Sequence, residues 1–486
     1  MNLKPSLLNT SAFVLGLTSG VYAQEKPAPP PPPPSAGLLN DLLRKESDEF
    51  KQLDIGGQFR ARLEHKEYFA APGQAGAIDF RAKGGDPDNT YLLLREKLHL
   101  GYSPVSWLTV YAEARDSSTD NDDRNPNVDS DTFDLHQGYL MVGDLKKFPL
   151  ALKVGRQELV YGDERLIGPG DFTNLGRVFD SVKLRFEISD LWVDAFYSRV
   201  VVPDDNNFNV SNDYDSFSGV YASTKTLIPK QETQLYFLAR NTEAGSPTLQ
   251  KGALIGLPSP RDIYTIGGRV KSLPGKFHGW DYELEGAYQF GRFKATPVAK
   301  SLDQDAFAGH VAGGYTWSTS FTPRVGLEYN YSSGDSNSKD GTHGTFDNLF
   351  PTNHKFYGYM DLLSWQNMHN LRATASIKPC PKLTVTADYH MFWLADTHDS
   401  FYNVSGAPRT GGGVGTGTGY AINSTYSSFV GSEIDLIATF AIKPFAMLQA
   451  GYGHFFVGKY VQQSLAAPAF GSHDADWLYG QVTFNF

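Results

Sequence analysis

The residues of this 486-residue chain that could do chemistry are cations and carboxylates set two apart. Arg60, Arg62 and Glu64 form one such run, Arg95 and Lys97 a second, and Glu113 and Arg115 a third. Lys183 with Arg185, Arg269 with Lys271, Glu283 with Glu285, and Glu433 with Asp435 repeat the spacing, and Arg324, Glu328 and Arg372 share the parity of their own segments. A spacing of two places side chains on one face of a β-strand. A face so charged cannot be a core. It is a wall of fixed charges, which concentrates and orders charged solutes. The residues leave a second reading open, in which arginines and glutamates merely satisfy one another across neighbouring strands.

Catalytic arrangements were sought and are missing. There is no HExxH zinc motif, no GxSxG elbow and no P-loop. The glycine-rich Gly411–Gly419 lacks the lysine and following helix that would cradle phosphate, and reads as a flexible surface loop. His99, His310 and His390 stand alone in the sequence and read as hydrogen-bonded wall residues. Asp120, Asp122 and Asp123 lack the spacing and glycine of an EF-hand. They read as a solvated acidic loop, or one bridged to lipopolysaccharide by divalent ions. A single cysteine, Cys380 in Lys378-Pro379-Cys380-Pro381, excludes an internal disulfide and a cysteine metal cluster. The expectation is a protein that is not an enzyme, with no cofactor and no metal. A formal net charge of −10 argues against a nucleic-acid partner.

The residues between the charges are apolar. Phe59, Ala61 and Leu63 alternate with Arg60, Arg62 and Glu64, and Leu284, Gly286, Tyr288 and Phe290 with Glu283, Glu285 and Gln289. Val325, Leu327 and Tyr329 alternate likewise with Arg324 and Glu328. The period is two from Leu53 onward, which predicts amphipathic strands. With 26 Tyr and 32 Phe, the chain still has a mean hydropathy of −0.35, a pairing that suits one face in lipid, one in water and aromatic girdles between. Connections alternate short and long. Short ones lie near 103–106, 189–190 and 378–382, and long ones near 65–90, 160–176 and 332–368. The chain stops on an alternating segment ending at Phe486, as the final strand of an outer-membrane barrel does.

These features predict an all-β, transmembrane, antiparallel up-and-down barrel of about 18 strands, with long extracellular loops and short periplasmic turns. Unpaired strand edges in lipid would cost several kcal/mol per group, so the sheet must close. A barrel of this girth encloses more space than side chains alone fill, which predicts a water-filled channel narrowed by any loops that fold in.

The N-terminus carries Lys4, an apolar run from Leu7 to Leu17, and Val21-Tyr22-Ala23, which predicts a signal peptide cleaved between Ala23 and Gln24. A proline run from Pro27 to Pro34 predicts an extended spacer. Leucines at 38, 39, 42 and 43 have helical spacing, so the stretch to Phe50 reads as a short periplasmic helix or plug-like segment, or as disordered chain. The organisation is thus 1–23 signal peptide, 24–52 spacer and helix, and 53–486 barrel.

Three blocks carry a family resemblance. The first is Gly155-Arg156-Gln157-Glu158, Tyr161-Gly162-Asp163-Glu164-Arg165-Leu166-Ile167-Gly168, Asn174, Gly176-Arg177 and Phe179-Asp180. The second is Ser333-Gly334-Asp335, Gly344-Thr345-Phe346, Leu349-Phe350-Pro351-Thr352-Asn353-His354, Gly358 and Asp361, and the third is Gly431 to Leu436 with Gly451 to Phe456. Together they resemble the alginate-export porin family. The resemblance implies an 18-stranded barrel whose arginine-rich pore passes a polyuronate, with many members similar to general porins. It singles out Arg156, Asp163, Arg165, Arg177 and Asp180 as motif residues.

By strand parity the lumen set is Arg60, Arg62, Arg95, Arg115, Arg185, Arg269, Arg324 and Arg372, with Glu113, Glu328, Glu433 and Asp435 as their carboxylates. The expected partners are outer-membrane lipid and lipopolysaccharide, and an anionic polysaccharide or small anions. An exporter would also draw on periplasmic machinery, for which no docking motif is legible. Arg156 shares parity with Leu152 and Val154, so either a bulge near Gly155 reverses the parity or Arg156 lies at the headgroups.

Overall fold

A computed structural model of the chain describes residues 38–69, 79–84, 87–124, 129–205, 207–243, 260–409, 420 and 422–486. The expected signal peptide, the proline run and Gly411–Gly419 lie outside the described residues. A helix α1, Leu38–Glu46, and a short 3-10 turn, Asp48–Gln52, precede the sheet.

Eighteen strands form the wall. The first nine are β1 Leu53–Glu67, β2 Asp88–Val105, β3 Leu108–Asp120, β4 Asp131–Val142, β5 Leu150–Gln157, β6 Phe179–Ile188, β7 Leu191–Val202, β8 Val210–Thr224 and β9 Gln231–Thr242. The rest are β10 Arg261–Ser272, β11 Trp280–Phe293, β12 Leu302–Thr316, β13 Arg324–Ser332, β14 Met368–Cys380, β15 Leu383–Leu394, β16 Phe429–Lys443, β17 Ala446–Val457 and β18 Ala475–Asn485. Each pairs antiparallel with the next, and β1 pairs with β18 from Gln58↔Asn485 to Glu67↔Asp476, so no edge is left open. A two-residue ladder, Thr342–His343, runs parallel to the start of β12, and a second short helix, α2, Lys459–Ala466, lies between β17 and β18.

The alternation read from the sequence decides which side each residue takes. Leu63 and Leu98, each 54% exposed, point outward with Phe59, Leu284, Leu327 and Leu478, whereas Arg60, Arg62, Arg95, Lys97 and Arg115 are buried inside. An outward apolar surface of this extent would aggregate in water and is the surface a bilayer covers. Trp107, Phe148, Trp280 and Phe321 stand exposed beside the short turns, where a girdle of rings meets the headgroups. No helix among the described residues is long and apolar enough to cross a membrane. The strands do the crossing.

The leading helix forms, but not on its leucine face. Asn40 is the buried residue, donating to Asp54 Oδ1 (2.7 Å) and accepting from Ile55 N (2.9 Å), while Leu42 is 58% exposed. Arg44 adds a bond to Leu53 O (3.0 Å), so polar contacts to the rim of β1 fix the helix.

Gly155 does not reverse the parity of β5. Its register with β6 is unbroken from Leu150↔Phe186 to Gln157↔Phe179, and Arg156 stays on the outward side. There it meets Asp180 (2.9 and 3.1 Å), and Leu135 O (3.2 Å) and Asn209 O (3.0 Å) take its remaining donors. Gly155 is required for another reason: at φ 124 an added Cβ would lie 2.3 Å from Gly138 O.

Candidate functional site

The lumen is the only enclosed charged space the fold defines among the described residues, and two loops enter it. The loop joining β5 to β6 spans 158–178, and the one joining β13 to β14 spans 333–367. They pair with each other: Ile167 bridges Phe350 in parallel, with Phe350 N to Leu166 O at 3.0 Å, Gly168 N to Phe350 O at 2.8 Å and Thr352 N to Glu164 O at 2.9 Å. Leu166, Ile167, Phe346, Phe350, Phe356 and Trp365 are buried where they meet. Phe350 packs edge-on against Phe179 (5.2 Å) and Phe217 (5.0 Å) of the wall. The backbone amides that turn inward therefore find partners in one another, and the rings supply the burial that holds them.

The lumen cations hold this two-loop plug in place. Arg60 donates to Asp171 O (2.8 Å), Thr173 O (2.8 Å) and Asn174 Oδ1 (3.3 Å). Arg62 donates to Phe172 O (2.7 Å), lies 4.0 Å from the Phe172 ring centre and pairs with Glu64 (2.7 Å). Arg95 (2.9 Å) and Lys97 (3.1 Å) share the Asp171 carboxylate. Burial would raise that carboxyl, but Arg95, Lys97 and Arg60 outweigh it and hold it well below the usual range.

On the far wall, Arg165 of the first loop reaches Glu328 (2.8 Å) and Asn330 (3.2 Å) and lies 4.0 Å from the Phe356 ring centre. Arg372 binds Asp388 (2.6 Å), Lys355 O (3.1 Å) and Glu328 (3.4 Å). Arg177 donates to Gly168 O (3.0 Å) and Pro351 O (2.9 Å), tying both loops together; burial, with Arg240 nearby, pulls it down to about 10. Glu433 accepts Met360 N (2.9 Å) and Asp435 accepts Tyr359 N (3.4 Å).

The remaining predicted lumen residues face inward, each beside a carboxylate or its own partner, and Arg269 also reaches the 158–178 loop at Asp163. Arg115 pairs with Asp131, Arg185 with Asp194 (2.6 Å), Arg269 with Glu283 (2.8 Å) and Asp163 (2.6 Å), and Arg324 with Asp281 (2.5 Å). Glu113 accepts from Tyr111 Oη (3.1 Å). His310 meets Asn330 (2.8 Å), His390 meets Asn370 (3.2 Å), and His99 stacks on Tyr111. In the acidic loop, Asp122 clamps Arg124 (2.7 Å), and no group of described residues could hold a metal ion.

Sequence reasoning passed over Asp171, which lies within the first motif block and pairs with two cations of β2, Arg95 and Lys97. It also passed over Asp347. That residue accepts from Arg240 (3.3 Å) and Arg261, cations at the upper ends of β9 and β10. Burial would raise its carboxyl, yet the two guanidinium groups lower it to about 2. Neither residue has a periodic signal, because both sit on loops.

A closed antiparallel barrel, apolar without and charged within, defines an outer-membrane channel protein of the porin kind. The family model described as alginate export matches residues 51–468, and the chain belongs to that family. No curated protein matches the sequence. Among solved structures the chain is similar to the outer membrane protein OprD from Pseudomonas aeruginosa, at 11% identity and a TM-score of 0.54 over 90% of this chain and 93% of that one. It is likewise similar to Pseudomonas aeruginosa OccD3 (OpdP), at 12% identity and 0.52 over 89% and 91%, and to OccK2 (OpdF), solved in complex with glucuronate, at 13% and 0.50 over 89% and 98%. These likenesses concern the fold.

Proposed function

We propose that the channel passes anionic saccharides, uronate polymers among them, or other anionic solutes, along its cationic wall. The observation that carries this reading is the gathering of Arg60, Arg95 and Lys97 around Asp171, whose single carboxylate takes Arg95 and Lys97 and whose carbonyl takes Arg60, where β1 and β2 meet the plug. Such an excess of positive charge in a space of low dielectric draws anions in and repels cations. The motif residues Asp163, Arg165 and Arg177 act as fasteners of the loops, and Arg156 and Asp180 brace the outer side of the wall. Outer-membrane lipid and lipopolysaccharide surround the barrel.

A general diffusion porin for small solutes is the second reading. The one-to-one pairing of Arg115, Arg185 and Arg324 with carboxylates favours it, because paired charges leave little net field. Reversal potentials in planar bilayers under a potassium chloride gradient decide between them. Anion selectivity with block by oligouronates supports the first reading, and equal passage of both ions with no block supports the second. Since a structural neighbour was solved with glucuronate, that monomer is a suitable first blocker.

A further inference from the structure

We infer that Lys153 and Lys183 form a carboxylate-binding station on the periplasmic side of the plug. It rests on the anionic reading above and locates where such a solute is first held. The two lysines are directly opposite each other in the β5–β6 register, both on the inner face of the wall. Like charges placed opposite on one sheet face destabilise it, so the arrangement is costly unless an anion lies between them.

Neither ammonium has a carboxylate to itself. Lys183 is 3.7 Å from Asp194, but that carboxylate is already engaged by Arg185 through two bonds (2.6 and 2.9 Å) and by Tyr161 Oη (2.8 Å). Lys153 has no ion pair among the described residues. Its ammonium rests 3.6 Å from the centre of the Tyr139 ring, which keeps it in the lumen by cation–π attraction without cancelling its charge. The two nearest acids on its side are engaged elsewhere: Glu113 with Tyr111 (3.1 Å) and Gln137 (3.4 Å), and Glu158 with His136 (3.3 Å).

Position gives the pair its direction. Lys153 is three residues above the lower end of β5 and Lys183 five above the lower end of β6, both in the lower half of the wall segment from which the 158–178 loop departs. Short turns face the periplasm in such barrels. A carboxylate arriving from there meets the two ammonium groups at the lower face of the plug, where Tyr161 of the loop reaches Asp194 (2.8 Å) and its ring lies 6.0 Å from the Lys183 ammonium. A free carboxylate and one carried on a sugar chain present the same group.

The test is current block in planar bilayers with a galacturonate trisaccharide added to one chamber at a time, acetate as the free carboxylate and maltotriose as the uncharged control. Wild-type channels are expected to block from the periplasmic chamber at lower concentration than from the other. The K153Q/K183Q variant is expected to need about tenfold more trisaccharide from that chamber only. Block by acetate as well marks the free carboxylate as sufficient; block by the trisaccharide alone marks a sugar-borne one. The station is overturned if the wild type is anion-selective but the variant blocks identically from both chambers. Absent anion selectivity in the wild type defeats the broader anionic reading instead. Acylation of the two lysines in detergent, read by mass spectrometry, is a second measure independent of conductance. The trisaccharide is expected to slow it at both sites, and equal rates with and without it would overturn the proposal.

Discussion

Replacing Arg165 with glutamine removes a side chain that ties the 158–178 loop to β13 and to the second loop at once. Its guanidinium holds Glu328 at 2.8 Å and Asn330 at 3.2 Å, with the Phe356 ring centre 4.0 Å away. Removing one partner of a buried ion pair costs about 3–5 kcal/mol. Glu328 retains Arg372 at 3.4 Å and Asn330 at 3.0 Å, so the lower figure applies. A loss of about 3 kcal/mol raises the population of the undocked plug roughly 150-fold. Hydrogen exchange read by mass spectrometry should show that acceleration over 158–178 and 346–366, with the barrel strands unchanged as internal reference. Single-channel conductance should rise with it. Adding E328Q should recover part of the loss, since the carboxylate stranded by R165Q is then gone. If exchange and conductance in R165Q match the wild type, the account of arginine fasteners is wrong.

Acid should loosen the same plug from the other side. Asp347 sits near 2 in the folded chain against about 3.9 unfolded, a depressed value, so its contribution is in place above pH 4 and fades as pH falls towards 2. Loop exchange should quicken over that window by up to about 2 kcal/mol of lost protection, and D347N should already be loose at pH 6. Gly358 has φ 89, and an added Cβ would lie 2.5 Å from both Glu433 carboxylate oxygens. G358A should therefore weaken the seat of Tyr359 and Met360 by about 2 kcal/mol, seen as faster exchange there while the barrel's resistance to heat in detergent gels is kept. D171N leaves Arg95 and Lys97 without their shared carboxylate, so the reversal potential should move toward stronger anion selectivity; a shift toward cations would count against the charge reading.

The wall was legible from the sequence and the plug was not. Alternation fixes which face each strand residue takes, because a one-residue slip would bring Arg60 and Arg62 into lipid and Leu63 into the lumen. It predicted Leu53 as the start of β1, where the strand begins, and put Arg115, Arg269 and Arg372 on the polar face, where their side chains are buried. It could not show that Arg165 meets Glu328, 163 positions away, nor that Phe172 stacks on His354 with ring centres 3.4 Å apart. Loops carry no period, and their partners are set by which of several cations the closed cylinder brings within reach. The leading helix makes the same point in small. Its leucine spacing pointed to a helix but not to its seat, which is polar: the rim of β1 offers the Ile55 amide and the Asp54 carboxylate, and Asn40 takes both.

The bridge between Ile167 and Phe350 makes the two inward loops a single body. That body buries Tyr161, Phe346, Phe350, Phe356, Tyr357, Tyr359 and Trp365, and inward rings of the wall such as Phe179 and Phe217 pack against it. Permeability and robustness therefore draw on one shared resource. Any variant that lets larger cargo through should survive heat or detergent less well, and a screen for sturdier versions should return tighter ones.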